Sequence, residues 1–407
     1  MSSLKMGRGG ALKILGEALA GYAFGIGGII AGTIIVLQLE VFREVPWSMA
    51  VYPAVLSARG IIGGLLGGRL STALHLGTIF PRIFKNTKTF HTLFDAVVTL
   101  TFEISFIMSL FSTFFGSLLW GISLAVFPII LIVILATMAL GLLIALITIS
   151  ISFISFKHGL DPDIFLYPAV SAMSDVIITS FYIIVLSTFT SSNIFGQWFL
   201  VSLGLLLVVL ALYNLIINFK DVEFIRTLKE SFLTLIFVSV IVIITGTILN
   251  SIRASISNTG SLISEGAVYR VFPALMAIIG AVGAIVGSTA TTKLAVGLLD
   301  VAFSDVRRHL MEILCAWVAS LIMFVFFSLL SLTIHGTLTL QYFMSFTLLL
   351  FITNVIAAFA IIFISYAIAL VTFQRGLDPD NFVIPIESVL ADSVTLLALL
   401  VALFLVG

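Results

Sequence analysis

GLDPDIFLYPAVSAMSDVIIT occupies residues 159–179, and GLDPDNFVIPIESVLADSVTL occupies residues 376–396. Each copy opens on Asp-Pro-Asp and runs into an apolar stretch with an aspartate at the same place, Asp175 in the first and Asp392 in the second. Of the 407 residues, 61% are hydrophobic and only 9% are charged, whereas a soluble domain needs about 25% charge to cover its surface. In a bilayer every backbone polar group must be satisfied within its own segment, so apolar runs of about 20 residues are helices. The expectation is an all-α polytopic membrane protein. The alternating ten-residue segments of an outer-membrane barrel are absent from the sequence.

Apolar runs read against polar breaks give eleven transmembrane helices: about 14–40, 50–80, 90–118, 122–156, 162–189, 197–218, 226–250, 270–299, 308–334, 338–373 and 380–406. The polar start through Lys13 leads directly into the first of them, which reads as a membrane anchor rather than a cleaved leader. Lys and Arg then set the orientation. With the N-terminus inside, thirteen basic residues fall on the cytoplasmic face and only Arg43, Arg253 and Arg270 on the other, which puts the C-terminus outside.

A second duplicated block accompanies the first. YPAVLSARGIIGGLLGGRLSTALHLG from Tyr52 aligns with FPALMAIIGAVGAIVGSTATTKLAVG from Phe272, matching Pro53 with Pro273 and Gly60 with Gly280 at an offset of 220. The Asp-Pro-Asp segments are offset by 217. Nearly equal offsets imply a duplicated five-helix unit, with a first repeat at 1–190, a linker helix at 191–222 and a second repeat at 223–407. The extra helix restores the direction of the chain, so the repeats are parallel and their pseudo-two-fold axis runs along the membrane normal.

The acids carry the chemistry. Asp175 and Asp392 each lie thirteen residues beyond a proline, Pro162 or Pro379, or about 20 Å into a hydrocarbon core about 30 Å thick. A carboxylate at that depth is costly and marks an ion or proton path; the bland alternative is a protonated Asp bonding between helices. Equivalent positions in parallel repeats bring both carboxylates toward one axis, which suits a small hard divalent cation. Magnesium takes oxygen ligands and is held through one or two carboxylates with most of its water retained. Ser171 and Ser388, one turn earlier, are candidates to contact that water, against the ordinary fate of a membrane serine, which is to bond its own backbone. Asp161, Asp163, Asp378 and Asp380 read as helix caps and dipole partners, or as an acidic cytoplasmic vestibule.

Glycines spaced by four, Gly60, Gly64 and Gly68 with Gly63 and Gly67, recur as Gly280, Gly283 and Gly287. They allow close helix packing or expose carbonyls to an ion path. Arg69 with Glu103, and Lys293 with Glu312, lie at comparable depths on consecutive helices and are candidate ion pairs. Asp95, Asp305 and Glu387 find no copy in the other half. Cys315 reads as an inert buried thiol. A net charge of zero gives nucleic acid no footing as a partner, and no phosphate-binding loop is present.

The stretch PAVLSARGIIGGLLGGRLST (Pro53 to Thr72), together with GLDPD and Asp175 fourteen residues after Asp161, resembles the membrane domain of the MgtE magnesium transporters. The likeness extends to their solute-carrier relatives in which two such domains are fused, and it covers nearly the whole chain. The resemblance implies a magnesium path between two five-helix halves with Asp175 and Asp392 as central ligands. It also implies function as a monomer, since the bacterial relatives assemble from two chains what one chain supplies here. After the motif glycine, where the fused relatives carry Asn and Glu, this sequence has Ile61 and Gly63, and Ala281 and Gly283 in the second copy. The expectation is a non-enzymatic divalent cation transporter of the cell membrane. A proton-coupled permease for another solute is the alternative, and an intramembrane aspartyl protease is disfavoured because neither acid lies in a GxGD motif.

Overall fold

The computed structural model describes residues 8–157, 162–259, 264–295, 306, 309–374 and 379–406. Among the described residues there are thirteen α-helices and no strand, as a chain without water to satisfy its backbone requires. They are α1 (Arg8–Ala23), α2 (Ile26–Leu37), α3 (Leu39–Glu44), α4 (Ser48–His75), α5 (Lys88–Leu119), α6 (Phe127–Lys157), α7 (Pro162–Thr190), α8 (Ile194–Ile217), α9 (Val222–Thr259), α10 (Glu265–Ala295), α11 (Leu310–His335), α12 (Leu340–Gln374) and α13 (Pro379–Val406). Ten spans among the described residues are long and apolar enough to cross a membrane, α1 and α2 counting as one. The eleventh expected span is α4, 28 residues long, several of whose side chains lie outside the described residues.

The chain divides into two compact units, Leu37–Thr247 and the combination of Met1–Val36 with Ile248–Gly407. In the Leu37–Thr247 unit, α4 packs against α5, α6 and α7, and α8 lies along α5 and α6. Its core joins Leu66, Leu70 and Leu74 of α4 to Phe90, Leu93 and Val97 of α5 and to Ala145, Ile149 and Phe153 of α6. In the other unit the same cluster recurs: Val286, Ala290 and Leu294 of α10 with Ile313 of α11 and Tyr366, Ala369 and Leu370 of α12. The three α4 and α10 members are 220 apart, and Ile149 and Phe153 of α6 match Tyr366 and Leu370 of α12 at 217, so the duplicated sequence builds a similar core twice.

The units do not follow the repeat bounds expected from the sequence. A Cβ added to Gly32 of α2 would lie 2.1 Å from the carbonyl oxygen of Arg270 on α10, and one added to Gly28 would lie 2.5 Å from Ala274 Cα. A Cβ added to Gly246 of α9 would lie 2.0 Å from the carbonyl oxygen of Ala50 on α4. α2 therefore rests on α10, and α9 on α4, backbone against backbone. Pro53 and Pro273 lie inside α4 and α10 close to these contacts. A helical proline removes one ladder bond and disturbs the carbonyls a turn before it, and a glycine Cα can approach and donate to such carbonyls.

Loops are tied by side chains. Thr87 caps α5 by accepting from the Phe90 amide, Asn193 caps α8 through the Phe195 and Gly196 amides, and Gly336 ends α11 in the left-handed region with φ of 76°. The unrepeated helix α8 is anchored to α5 at one end, where Asn218 Nδ2 donates to Asp95 Oδ2 at 3.0 Å and Asn214 Nδ2 to the Asp95 carbonyl at 3.3 Å. Elsewhere α8 presents Leu205, Leu206, Val209 and Leu212 outward, the apolar surface expected of a helix facing lipid.

Candidate cation site

The two acids that define the repeat stand at the middle of continuous helices. Asp175 lies thirteen residues after Pro162 in the 29-residue α7, and Asp392 thirteen after Pro379 in the 28-residue α13. Asp175 belongs to the Leu37–Thr247 unit and Asp392 to the other. Asp175 is 5% exposed, and Asp392 is half-buried. Ser171 and Ser388 fall within α7 and α13, but their side chains lie outside the described residues, as do those of Asp163, Asp380 and Glu387; Asp161, Asp305 and Asp378 lie outside altogether.

Asp175 is held by a partner that the sequence reading did not identify. The Arg59 guanidinium, on the neighbouring helix α4, donates through Nη2 to Asp175 Oδ1. Both side chains are largely withdrawn from solvent, Arg59 to 14% and Asp175 to 7% exposure. A lone carboxylate there would be strongly disfavoured, whereas a paired one is the usual state of a membrane charge. Further along the same α4–α7 seam, Tyr52 Oη and Thr179 Oγ1 share a hydrogen bond of 2.7 Å, and Tyr182 Oη donates to the Ser48 carbonyl at 2.8 Å. The Tyr52 and Tyr182 rings meet at 5.8 Å.

The second copy keeps the acid and loses these partners. At the two offsets Tyr52, Arg59, Thr179 and Tyr182 correspond to Phe272, Ile279, Leu396 and Leu399, all four fully buried. α10 and α13 meet beside Asp392, where a Cβ on Gly280 would make ordinary contact with Ala391 Cβ at 3.8 Å. A signal for Arg59 did exist in the sequence: an arginine in the middle of a glycine-rich span, aligned with an isoleucine, on the helix that precedes the acid's own repeat partner.

Of the two ion pairs expected elsewhere, one forms. Lys293 Nζ reaches Glu312 Oε1 at 2.7 Å, and the buried His309 places Nδ1 3.6 Å from Glu312 Oε2. His309 Nε2 lies 3.1 Å from Thr289 Oγ1, and the ring stacks on Tyr366. The other pair is corrected. Arg69 donates to Thr227 Oγ1 on α9, and among the described residues no ion pair joins it to Glu103. Equal depth fixes only height along a helix, and the two side chains differ in direction around it. Arg270 lies in the second turn of α10, is 4% exposed, and donates to the Ser331 carbonyl at 3.3 Å.

Buried hydroxyls on α5 follow the ordinary rule for membrane helices: Thr101, Ser105, Ser109 and Thr113 each donate to the carbonyl four residues earlier. Among the described residues, no group of three or more His, Cys, Asp and Glu side chains converges in a way that could hold a metal ion.

No curated protein and no solved structure matches the chain significantly. The family model for MgtE, described as a divalent cation transporter, matches twice, at residues 52–185 and 272–402. Each match runs from the start of the glycine-rich helix to beyond the mid-helix acid, and together they cover more than half of the chain. With one match on each repeat, this protein belongs to the MgtE divalent cation transporter family.

Proposed function

We propose that the chain carries magnesium across a membrane past Asp175 and Asp392, one acid from each repeat. The observation that carries this reading is the recurrence of a single acid at the same depth of α7 and α13 within both family-matched regions. Magnesium sheds its water reluctantly, so carboxylates serve it by accepting hydrogen bonds from the retained waters and by lowering the electrostatic cost of entering a medium of low dielectric. Ser171 and Ser388 are the proposed contacts for those waters. The path is proposed to follow the pseudo-symmetry axis of the repeats, with the N-terminus cytoplasmic and one chain sufficient for transport.

The test is flux into liposomes loaded with a magnesium-sensitive dye, comparing wild type with Asp175→Asn, Asp392→Asn and the double variant. Each single change is expected to lower flux and the double change to abolish it. Flux that survives the double change overturns the proposal, and solute uptake that is driven by protons and indifferent to magnesium replaces it with the permease reading.

A further inference from the structure

The two copies differ at the position of Arg59. In the first repeat the acid is bound to a guanidinium supplied by the helix beside it; in the second repeat the place aligned with Arg59 holds Ile279, which is fully buried. We propose that Arg59 is a tethered cation that competes with the transported ion for Asp175 and thereby sets the affinity of the first repeat for magnesium. This inference rests on the reading of Asp175 as a ligand.

The physical argument starts from what a buried ion pair does to an incoming ion. Asp175 has already exchanged its water for a guanidinium donor, so a cation gains from the carboxylate only the excess of its own attraction over that of Arg59. A hydrated divalent ion brings two charges and a shell of donors, and it can displace one guanidinium. A monovalent ion brings one charge to a position where one charge is already held by covalent tether, and the exchange offers it nothing. The Arg59–Asp175 pair therefore lowers affinity for every cation but lowers it least for divalent ones. Surrounding groups keep the guanidinium poised: Tyr52 and Thr179 are bonded to each other, so neither has to turn toward the carboxylate to be satisfied. At the second repeat the position aligned with Arg59 holds the uncharged Ile279.

The test replaces Arg59 by the residue of the other repeat. Magnesium binding to the purified full-length chain is measured by titration calorimetry and by the magnesium-dependent rise in thermal stability, alongside flux. Arg59→Ile is expected to lower the half-saturating magnesium concentration about tenfold, a size typical of coupling between contacting charged residues, and to admit sodium as a competitor. Arg59→Lys, which keeps the charge, should stay near wild type, and Arg59→Ile with Asp175→Asn together should lose the gain. If Arg59→Ile proves too unstable to purify, Arg59→Gln removes the charge while leaving a donor for Asp175 and is expected to show the same tightening.

Unchanged or weaker magnesium binding in the neutral Arg59 variants, with Asp175→Asn and Asp392→Asn still reducing binding, overturns the role of Arg59 and leaves the transport reading standing. Binding indifferent to both Asp→Asn changes overturns the transport reading itself, and this inference with it. A gain that persists in the double Arg59→Ile, Asp175→Asn variant also overturns the role, because the competition would then lie elsewhere.

Discussion

Alanine at Gly32 or Gly246 should destabilise the protein by about 2 kcal/mol, and the same change at Gly16 should do the reverse. A new Cβ at Gly32 would stand 2.1 Å from the Arg270 carbonyl oxygen, and 3.4 Å is the near edge of ordinary contact, so the helices must part by roughly 1.3 Å. The obstructing atoms are backbone and cannot rotate away. Overpacking of this kind costs typically 1–3 kcal/mol, and the backbone obstruction puts it at the upper end; the helical preference of Ala over Gly returns about 1 kcal/mol. At Gly246 the clash is with the Ala50 carbonyl at 2.0 Å, so the loss should match. Gly16 is exposed on α1 with nothing within 4 Å of its Cβ position, so only the helical term applies and the variant should gain up to about 1 kcal/mol. The assay is the fraction of monodisperse protein remaining after heating in detergent, read by gel filtration for all three variants. If Gly32→Ala and Gly246→Ala behave like Gly16→Ala, α2 and α9 do not rest on α10 and α4 in the way described.

Three further outcomes are expected. Lys293→Met or Glu312→Gln alone should cost about 2 kcal/mol, below the 3–5 kcal/mol of a fully buried pair because the side chains keep 21% and 14% exposure. Lys293→Met with Glu312→Leu should recover most of the loss in a double-mutant cycle, and simple additivity would refute the coupling. Tyr52→Phe should cost about 1 kcal/mol through loss of the bond to Thr179, read as a lower denaturation midpoint, and Thr179→Val should add little on top. Asp221 caps α9 by accepting from the Glu223 and Phe224 amides and meets Lys88 at 3.2 Å. Partial burial pushes its carboxyl upward, but the Lys88 bond and the amides outweigh this and hold it below its ordinary value of 3.8. A depressed group stabilises fully above the unfolded value and loses that contribution as pH falls through the folded one. Asp221→Ala should therefore cost about 1 kcal/mol at neutral pH, mostly as a lost cap because Lys88 is exposed, and the difference from wild type should shrink below pH about 4.

The part of the fold written in hydropathy and duplication was legible before any coordinates. The bounds of α7 and α13 and the mid-helix depth of both acids follow from Pro162 and Pro379 and the apolar runs behind them, because length and polarity are one-dimensional properties. The Lys293–Glu312 pair was legible for a related reason, opposite charges at one depth having strong cause to meet in lipid. Rotation about a helix axis and the choice of packing partner were not. Arg69 satisfied the same depth criterion toward Glu103 yet turns to Thr227. Offsets of 217 and 220 identify which helices are copies, but they say nothing about which copy rests on which, so the placement of Gly32 on α10 and Gly246 on α4 could not be read from them. Close glycine contact needs two partners, and the sequence displays each glycine without its carbonyl.

Duplication also explains why the seam could become asymmetric at all. In a homodimer with a two-fold axis every residue is present twice in equivalent surroundings, so an arginine beside the acid would stand beside both acids at once. Within one fused chain the copies can diverge. Arg59, Tyr52, Thr179 and Tyr182 can make the first seam polar while Ile279, Phe272, Leu396 and Leu399 make the second apolar, with Asp175 and Asp392 retained in both. A polar seam of this sort costs desolvation that an apolar seam of similar volume avoids, so stability alone gives no reason to keep the four polar residues on one side. Swapping them as a set for their second-repeat counterparts should then be tolerated or stabilising when Asp175→Asn is included. It should be harmful to folding when Asp175 is left charged without Arg59, since that leaves a buried carboxylate with no donor. Equal stability of the two swapped chains would show that the Arg59 contact is incidental to how Asp175 is accommodated.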